Sequence, residues 1–293
     1  MKTALVTGAT SGIGLAVCKQ LVNCGWCVIA VGRDDNRIAA AQQELANSAE
    51  QGGSAVFFKA DLSKIDGVKH CGALAAGYID EHCGGRLDAL INNAGCVCSS
   101  YMETSDKIER QFALNHLSGF MLTHLLLGRL TAAYGRVIFT SSASHRLMRI
   151  HWKDLMYQKR YRPLMAYKQS KLCNVLCAMW LRSNFGGNGV SFYCVDPGLV
   201  RTEIGLKDTG GIVKFVWRLR MRQGTDSAVP ARTYTYLLSA EQPHKGLYYY
   251  NCRRARINRA ATAAAAERLC NLSMQLCGID KYGAVDFTAK YEQ

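Results

Sequence analysis

The chain has 293 residues, 49% of them apolar, which suits one large α/β domain or two small ones. No apolar run approaches the ~20 residues that cross a bilayer. The strand-like KTALVTG begins at Lys2, so no leader peptide is expected and the expected location is cytoplasmic. The formal charge is +14, from 36 Lys and Arg against 22 Asp and Glu. Its denser stretches, 151–162, 214–222 and 251–259, match no nucleic-acid-binding framework, so a solvated basic surface is expected rather than a nucleic-acid partner. The 214–222 stretch interleaves apolar side chains with four cations, compatible with a helix on a membrane interface and equally with a lid over an apolar pocket.

In chain order, ALVTG and CVIAVG read as short buried strands, separated by a helix from Ile13 to Asn23. A helix over RIAAAQQELANSAEQ stops at Gly52 and Gly53. AVFFKAD is a third strand, followed by a helix near 64–82 and a fourth strand, LDALINNAG. A long helical region covers 103–132, before the strand GRVIFTSS, the helix AYKQSKLCNVLCAMWLRSNF and the strand VSFYCVDPG. A strand at 246–250 and a helix near 259–277 finish the chain. Strands alternating with helices predict an α/β fold of Rossmann type, a doubly wound parallel sheet in a single domain over 1–293. Within it, 203–230 reads as a substrate lid and 251–293 as a C-terminal extension carrying a helix.

The thirteen cysteines fit free thiols in a reducing compartment. Cys24 and Cys27 have redox-motif spacing but sit at the wrong end of a helix to favour a thiolate. Cys96 and Cys98 lack a second ligand pair, and the histidines form no ligand pattern, so no metal is expected.

VTGATSGIG follows the first strand and opens the first helix, with Gly8, Gly12 and Gly14 in G-x-x-x-G-x-G spacing. Glycines there let the backbone approach a pyrophosphate, and helix-start N–H groups bind it. Thr7, Thr10 and Ser11 add hydroxyls, and Ile13 lies in the same turn. After the second strand come Gly32 and Arg33 instead of an acid; a guanidinium suits a ribose phosphate, so NADP(H) is favoured over NAD(H). Asp34 or Asp35 could turn back, and Arg33 could be a solvated loop residue.

This loop, NNAG at 92–95, Asn115, the serines after the fifth strand and Y-x-x-x-K together resemble the short-chain dehydrogenase/reductase family over essentially the whole chain. SSASHRLMRIHWKDL, YKQSKLCN and the C-terminal helix resemble its retinol dehydrogenase-like branch, to which the WW-domain-containing oxidoreductase and protochlorophyllide reductase are related. The resemblance implies Tyr167 as general acid/base, Lys171 as its activator, Ser142 as the hydroxyl orienting a carbonyl and Asn115 as a proton-relay residue. It places Asp61 and Leu62 at the adenine, Asn92, Asn93, Ala94 and Gly95 along the adenosine side, and Pro197, Gly198, Val200 and Thr202 at the nicotinamide. Asp196 and the two cysteines after NNAG depart from the family's usual residues.

The chemistry is consistent with these roles. A free phenol has a pKa of ~10, and a nearby ammonium lowers it. Positions i and i+4 share a helix face, so Tyr167 and Lys171 project together, although spacing alone fits an ordinary surface pair. Between Ser141 and Ser142 residue chemistry does not choose; the resemblance favours the second. Asn115 taken alone reads as a helix-interior polar residue. The expected reaction is hydride transfer to or from an apolar carbonyl or alcohol: a lipid aldehyde, retinoid, steroid or aromatic ketone. Reduction of a carbon–carbon double bond and a non-catalytic NADP(H)-binding sensor or scaffold are the alternatives. A homo-oligomer is compatible with the sequence.

Overall fold

A computed structural model describes residues 1–49, 52–200, 224–242 and 244–285. The expected lid up to residue 223, including the 214–222 stretch, and Thr202 lie outside the described residues. Eight strands form one sheet in the order β3-β2-β1-β4-β5-β6-β7-β8. They are β1 (Thr3–Thr7), β2 (Cys27–Gly32), β3 (Ser54–Lys59), β4 (Ala89–Asn92), β5 (Arg136–Thr140), β6 (Ser191–Asp196), β7 (Tyr248–Tyr250) and β8 (Arg253–Arg254). The first seven pair in parallel, and β8 adds an unexpected antiparallel edge to β7.

β1 and β2 are buried along their whole length, as strands covered on both faces must be. Alternation decides which face each residue serves. Leu5, Ile29 and Leu90 pack with Val68, Leu125, Leu176 and Leu269 of the helices α3 (Ile65–His82), α5 (Ser118–Ala133), α6 (Pro163–Phe185) and α8 (Ala263–Cys277). Ala4, Val6 and Ala30 pack on the other face with Val17, Leu45 and Leu237 of α1 (Gly12–Asn23), α2 (Asp35–Ala46) and α7 (Ala228–Ser239). The strand order reverses beside β1, so β1 and β4 diverge to opposite connections and open a crevice at their C-terminal ends.

Four helix boundaries differ from the sequence expectation, two of them because a side chain caps the helix start. The expected 103–132 helix begins only at α4 (Arg110–Phe112), since the Glu109 carboxylate accepts from the N–H groups of Gln111 (3.0 Å) and Phe112 (2.7 Å). A π-helical turn, Ala113–Leu117, then joins it to α5. The last helix starts at Ala263, four residues late, because Thr262 Oγ1 accepts from Ala265 N–H. α2 stops at Ala46, and Ser48 Oγ donates to the Glu44 carbonyl just beyond it. α6 starts earlier than expected, with Pro163 at its first position, where a missing N–H costs nothing.

The C-terminal helix docks on the π-helical turn through His116, whose Nε2 lies 3.0 Å from Ser273 Oγ. The ring is fully buried, and burial pushes its pKa down to about 4. An unfolded histidine titrates near ~6.5. Between these values the unfolded chain binds a proton that the fold does not, so stability is complete above ~6.5 and declines as the pH falls, by up to ~3 kcal/mol. His116→Gln should therefore flatten the acid limb of the stability–pH curve, as measured by urea unfolding.

Candidate active site

The Gly-rich loop is shaped by backbone contact. A Cβ on Gly14 would lie 2.2 Å from the Gly8 carbonyl oxygen, and one on Gly8 would lie 3.0 Å from Ala94 Cα. Gly8 and Gly12 both take positive φ (65° and 57°). Ser11 precedes α1 without capping it by its side chain, which leaves the helix-start N–H groups facing the crevice. The crevice is lined by Gly8, Thr10, Ser11, Gly12, Ile13, Arg33, Asp61, Leu62, Asn93, Ala94 and Gly95, all expected there. Val31, Gly32, Ala60, Cys96 and Leu114 line it as well. Cys96 and Leu114 carry no motif, and only their neighbours Gly95 and Asn115 point to them.

Three expected residues serve the loop from behind. Thr7 is buried; its hydroxyl donates to the Ile91 carbonyl and accepts from the N–H groups of Asn93 (2.9 Å) and Ala94 (3.0 Å). Gly14 packs under Gly8, as above. Asn92 turns its amide away to Thr123 Oγ1, whereas Asn93 Nδ2 donates to the Thr7 carbonyl.

At the rim, both acids that could compete with Arg33 are engaged elsewhere. Asp34 caps α2 by accepting from Arg37 N–H (2.9 Å), and Asp35 accepts from Lys59 Nζ (2.5 Å). Gly32 is confined: a Cβ there would meet Thr10 Cγ2 at 2.5 Å. Burial works against the Asp61 carboxylate, yet the bonds it accepts from Ser63 Oγ (2.7 Å) and N–H (3.1 Å) hold its pKa below the usual value.

At the other end of the crevice, α6 brings Lys171 Nζ to 5.5 Å from the centre of the Tyr167 ring. The lysine is buried, and Nζ donates to the Thr140 carbonyl (3.1 Å). Burial pushes its pKa down to about 8. Nζ also lies 3.6 Å from the Cβ position of crevice-lining Gly95. The serine pair divides. Ser141 Oγ is buried and donates to the Lys171 carbonyl (2.9 Å), while Ser142 Oγ accepts from Ser144 N–H (3.3 Å) and keeps its own proton to donate.

Asn115 sits in the π-helical turn with its amide fully used. Oδ1 accepts from Cys96 N–H (2.7 Å), and Nδ2 donates to the Cys96 carbonyl and to Ser170 Oγ, both at 3.0 Å. Its main-chain carbonyl accepts from Asn174 Nδ2 (2.9 Å) and has a second lone pair. Asn174 also donates to the Thr140 carbonyl (3.1 Å), a link not foreseen from the sequence. Pro197, Gly198 and Val200 follow β6; Gly198 has φ 70°, and its N–H donates to Asp196 Oδ1.

Residues 2–209 match the short chain dehydrogenase family. Retinol dehydrogenase 12 of Homo sapiens is 35% identical over 95% of this chain and 87% of its own length. The chain belongs to the short-chain dehydrogenase family. Within it, the dehydrogenase falls in the retinol dehydrogenase-like branch; retinol dehydrogenase 14 of Homo sapiens is 32% identical, again over 87% of its length. An uncharacterised protein of Mycobacterium paratuberculosis superimposes with a TM-score of 0.75 at 29% identity, covering 95% of this chain and 94% of that one. A short-chain dehydrogenase from Sphingobium yanoikuyae, solved with NADPH, shares the fold with a TM-score of 0.66 at 19% identity over the full length of both.

Thr7→Ala in this dehydrogenase leaves the half-buried Ala94 N–H without its acceptor, while Asn93 N–H keeps the Ile91 carbonyl, and should cost about 1–3 kcal/mol in urea unfolding. Thr7→Ser should recover most of that loss.

Proposed function

We propose that the protein is an NADP(H)-dependent oxidoreductase that interconverts an apolar carbonyl and its alcohol, with Tyr167 as general acid/base. The observation that carries this reading is the buried Lys171 ammonium, 5.5 Å from the centre of the Tyr167 ring and 3.6 Å from the Cβ position of crevice-lining Gly95. The cofactor fits what surrounds the crevice: glycines that admit no side chain, uncapped N–H groups at the start of α1, and Arg33 with both neighbouring acids occupied. Several fold neighbours were themselves solved with NADP or NADPH.

The nicotinamide, when bound, supplies or accepts the hydride. In the reductive direction Ser142 donates a hydrogen bond to the substrate oxygen as negative charge develops there, and Tyr167 gives that oxygen its proton. Lys171, as the ammonium, stabilises the phenolate left behind. Its desolvation strengthens that effect, because the charge has little water to screen it. Asn115 anchors the loop carrying Cys96 to α6 and leaves its carbonyl for the relay. Leu199 and Tyr250, both substantially exposed next to Gly198, support an apolar substrate, as do relatives named for retinol.

Tyr167→Phe should lower turnover of an aromatic or long-chain aldehyde by about a thousandfold. NADPH affinity, read by fluorescence titration, should stay within about twofold of the parent, since the hydroxyl acts on the substrate's oxygen. Arg33→Ala should weaken NADPH by about 10- to 100-fold and leave NADH unchanged. Equal losses for the two would remove the phosphate assignment.

A further inference from the structure

Two open grooves of about 670 and 760 Å³ adjoin each other, and the segment 147–150 lines both. Arg146 and Arg259 line the first, Lys153, Lys159 and Arg160 the second, and Arg149 both. Met148 and Ile150 supply an apolar floor. The basic stretches 151–162 and 251–259 are thus brought onto one face. Asn258 Nδ2 holds them together by donating to the carbonyls of His145 (2.6 Å) and Met148 (2.5 Å).

The acid among the lining residues, Asp154, is turned into its own loop, where its carboxylate accepts from the N–H groups of Gln158 (2.8 Å) and Lys159 (3.1 Å). Leu147, flanked by Arg146 and Arg149, is 97% exposed. Isolated exposed leucines are ordinary. A leucine standing fully in water on the wall between two cationic grooves calls for a partner with both an anionic and an apolar layer.

We propose that this face docks on the surface of an anionic lipid bilayer, with Leu147 inserted past the headgroups and the surrounding arginines and lysines on lipid phosphates and carboxylates. Charge complementarity selects this occupant. A second copy of the chain would oppose like charges. A nucleic acid would use the cations but leave Leu147 idle, and the aromatics that line the grooves are already engaged, Trp152 under the Arg268 guanidinium 4.4 Å from its ring centre and buried Tyr157 stacked on His151. A bilayer uses both kinds of group. The short 3₁₀ turn Ala143–Leu147 that presents Leu147 is the one preceded by Ser142, so the docked lipid lies against the loop bearing that serine. The docking is independent of which reaction the crevice performs.

The test is co-sedimentation of the full chain with vesicles of phosphatidylcholine, alone or mixed with phosphatidylserine. The expected result is binding to the mixed vesicles, little to the neutral ones, and release as salt shortens the Debye length. Each cation at such a surface is worth about fivefold in partitioning. Arg149→Glu with Arg160→Glu should therefore weaken binding by more than about tenfold, with thermal midpoint and NADPH binding unchanged. Leu147→Asp should weaken binding even at low salt, and Leu147→Phe should preserve it. Equal binding to neutral vesicles, undiminished binding by the charge-reversed variant, or binding to poly(U) without binding to mixed vesicles would overturn the proposal.

Discussion

The burial of one ammonium group organises this molecule. Lys171 Nζ is withdrawn from water and rests on the Thr140 carbonyl at the end of β5. An isolated cation in that position is costly, and the protein offsets the cost with polar backbone and with a phenol one helical turn away. The neighbours are arranged to keep the lysine there. Ser141 accepts no competing role because it bonds the Lys171 carbonyl, and Asn174 secures the same Thr140 oxygen. The π-helical turn places Asn115 so that the loop after β4 and α6 are tied into one unit.

This arrangement joins the sheet to the chemistry. Parallel strands end together on one edge, and the strand order reverses beside β1, so the Gly-rich loop, Asn93 and the end of β5 meet without any long excursion, Thr140 Oγ1 donating to Asn93 Oδ1 (3.5 Å). Thr7 illustrates the economy of the design. A hydroxyl that might have met a ligand is spent instead on two backbone N–H groups of the facing loop, which sets the width of the crevice.

Much of this was legible in the residues. The order of strands and helices, the Gly-rich turn and the Tyr–Lys spacing are local patterns, and they reappear where expected. What was not legible depended on where individual side chains spend their hydrogen bonds. Glu109 reads as one more polar residue of a helix, yet its carboxylate caps the helix and shortens it by about two turns at its start. Asp34 and Asp35 could not be separated from Arg33 by composition; geometry alone assigns one to a cap and the other to a lysine. Asn92 and Asn93 are chemically identical, yet the last residue of β4 bonds Thr123 and the first residue beyond it bonds the Thr7 carbonyl. The meeting of residues 146–162 with 251–259 lies beyond any local pattern, since it depends on how the last third of the chain returns to the sheet.

Gly32 carries a consequence for anyone wishing to re-engineer the nucleotide site. Its missing side chain is matched to the methyl group of Thr10 across the crevice rim. A Cβ there would also lie 2.9 Å from Ile38 Cγ1, so an acidic residue at position 32 has no space until positions 10 and 38 both give way, and altering the rim's taste for phosphate is a problem of at least three sites. Libraries that vary one position at a time will record each part of the solution as a failure.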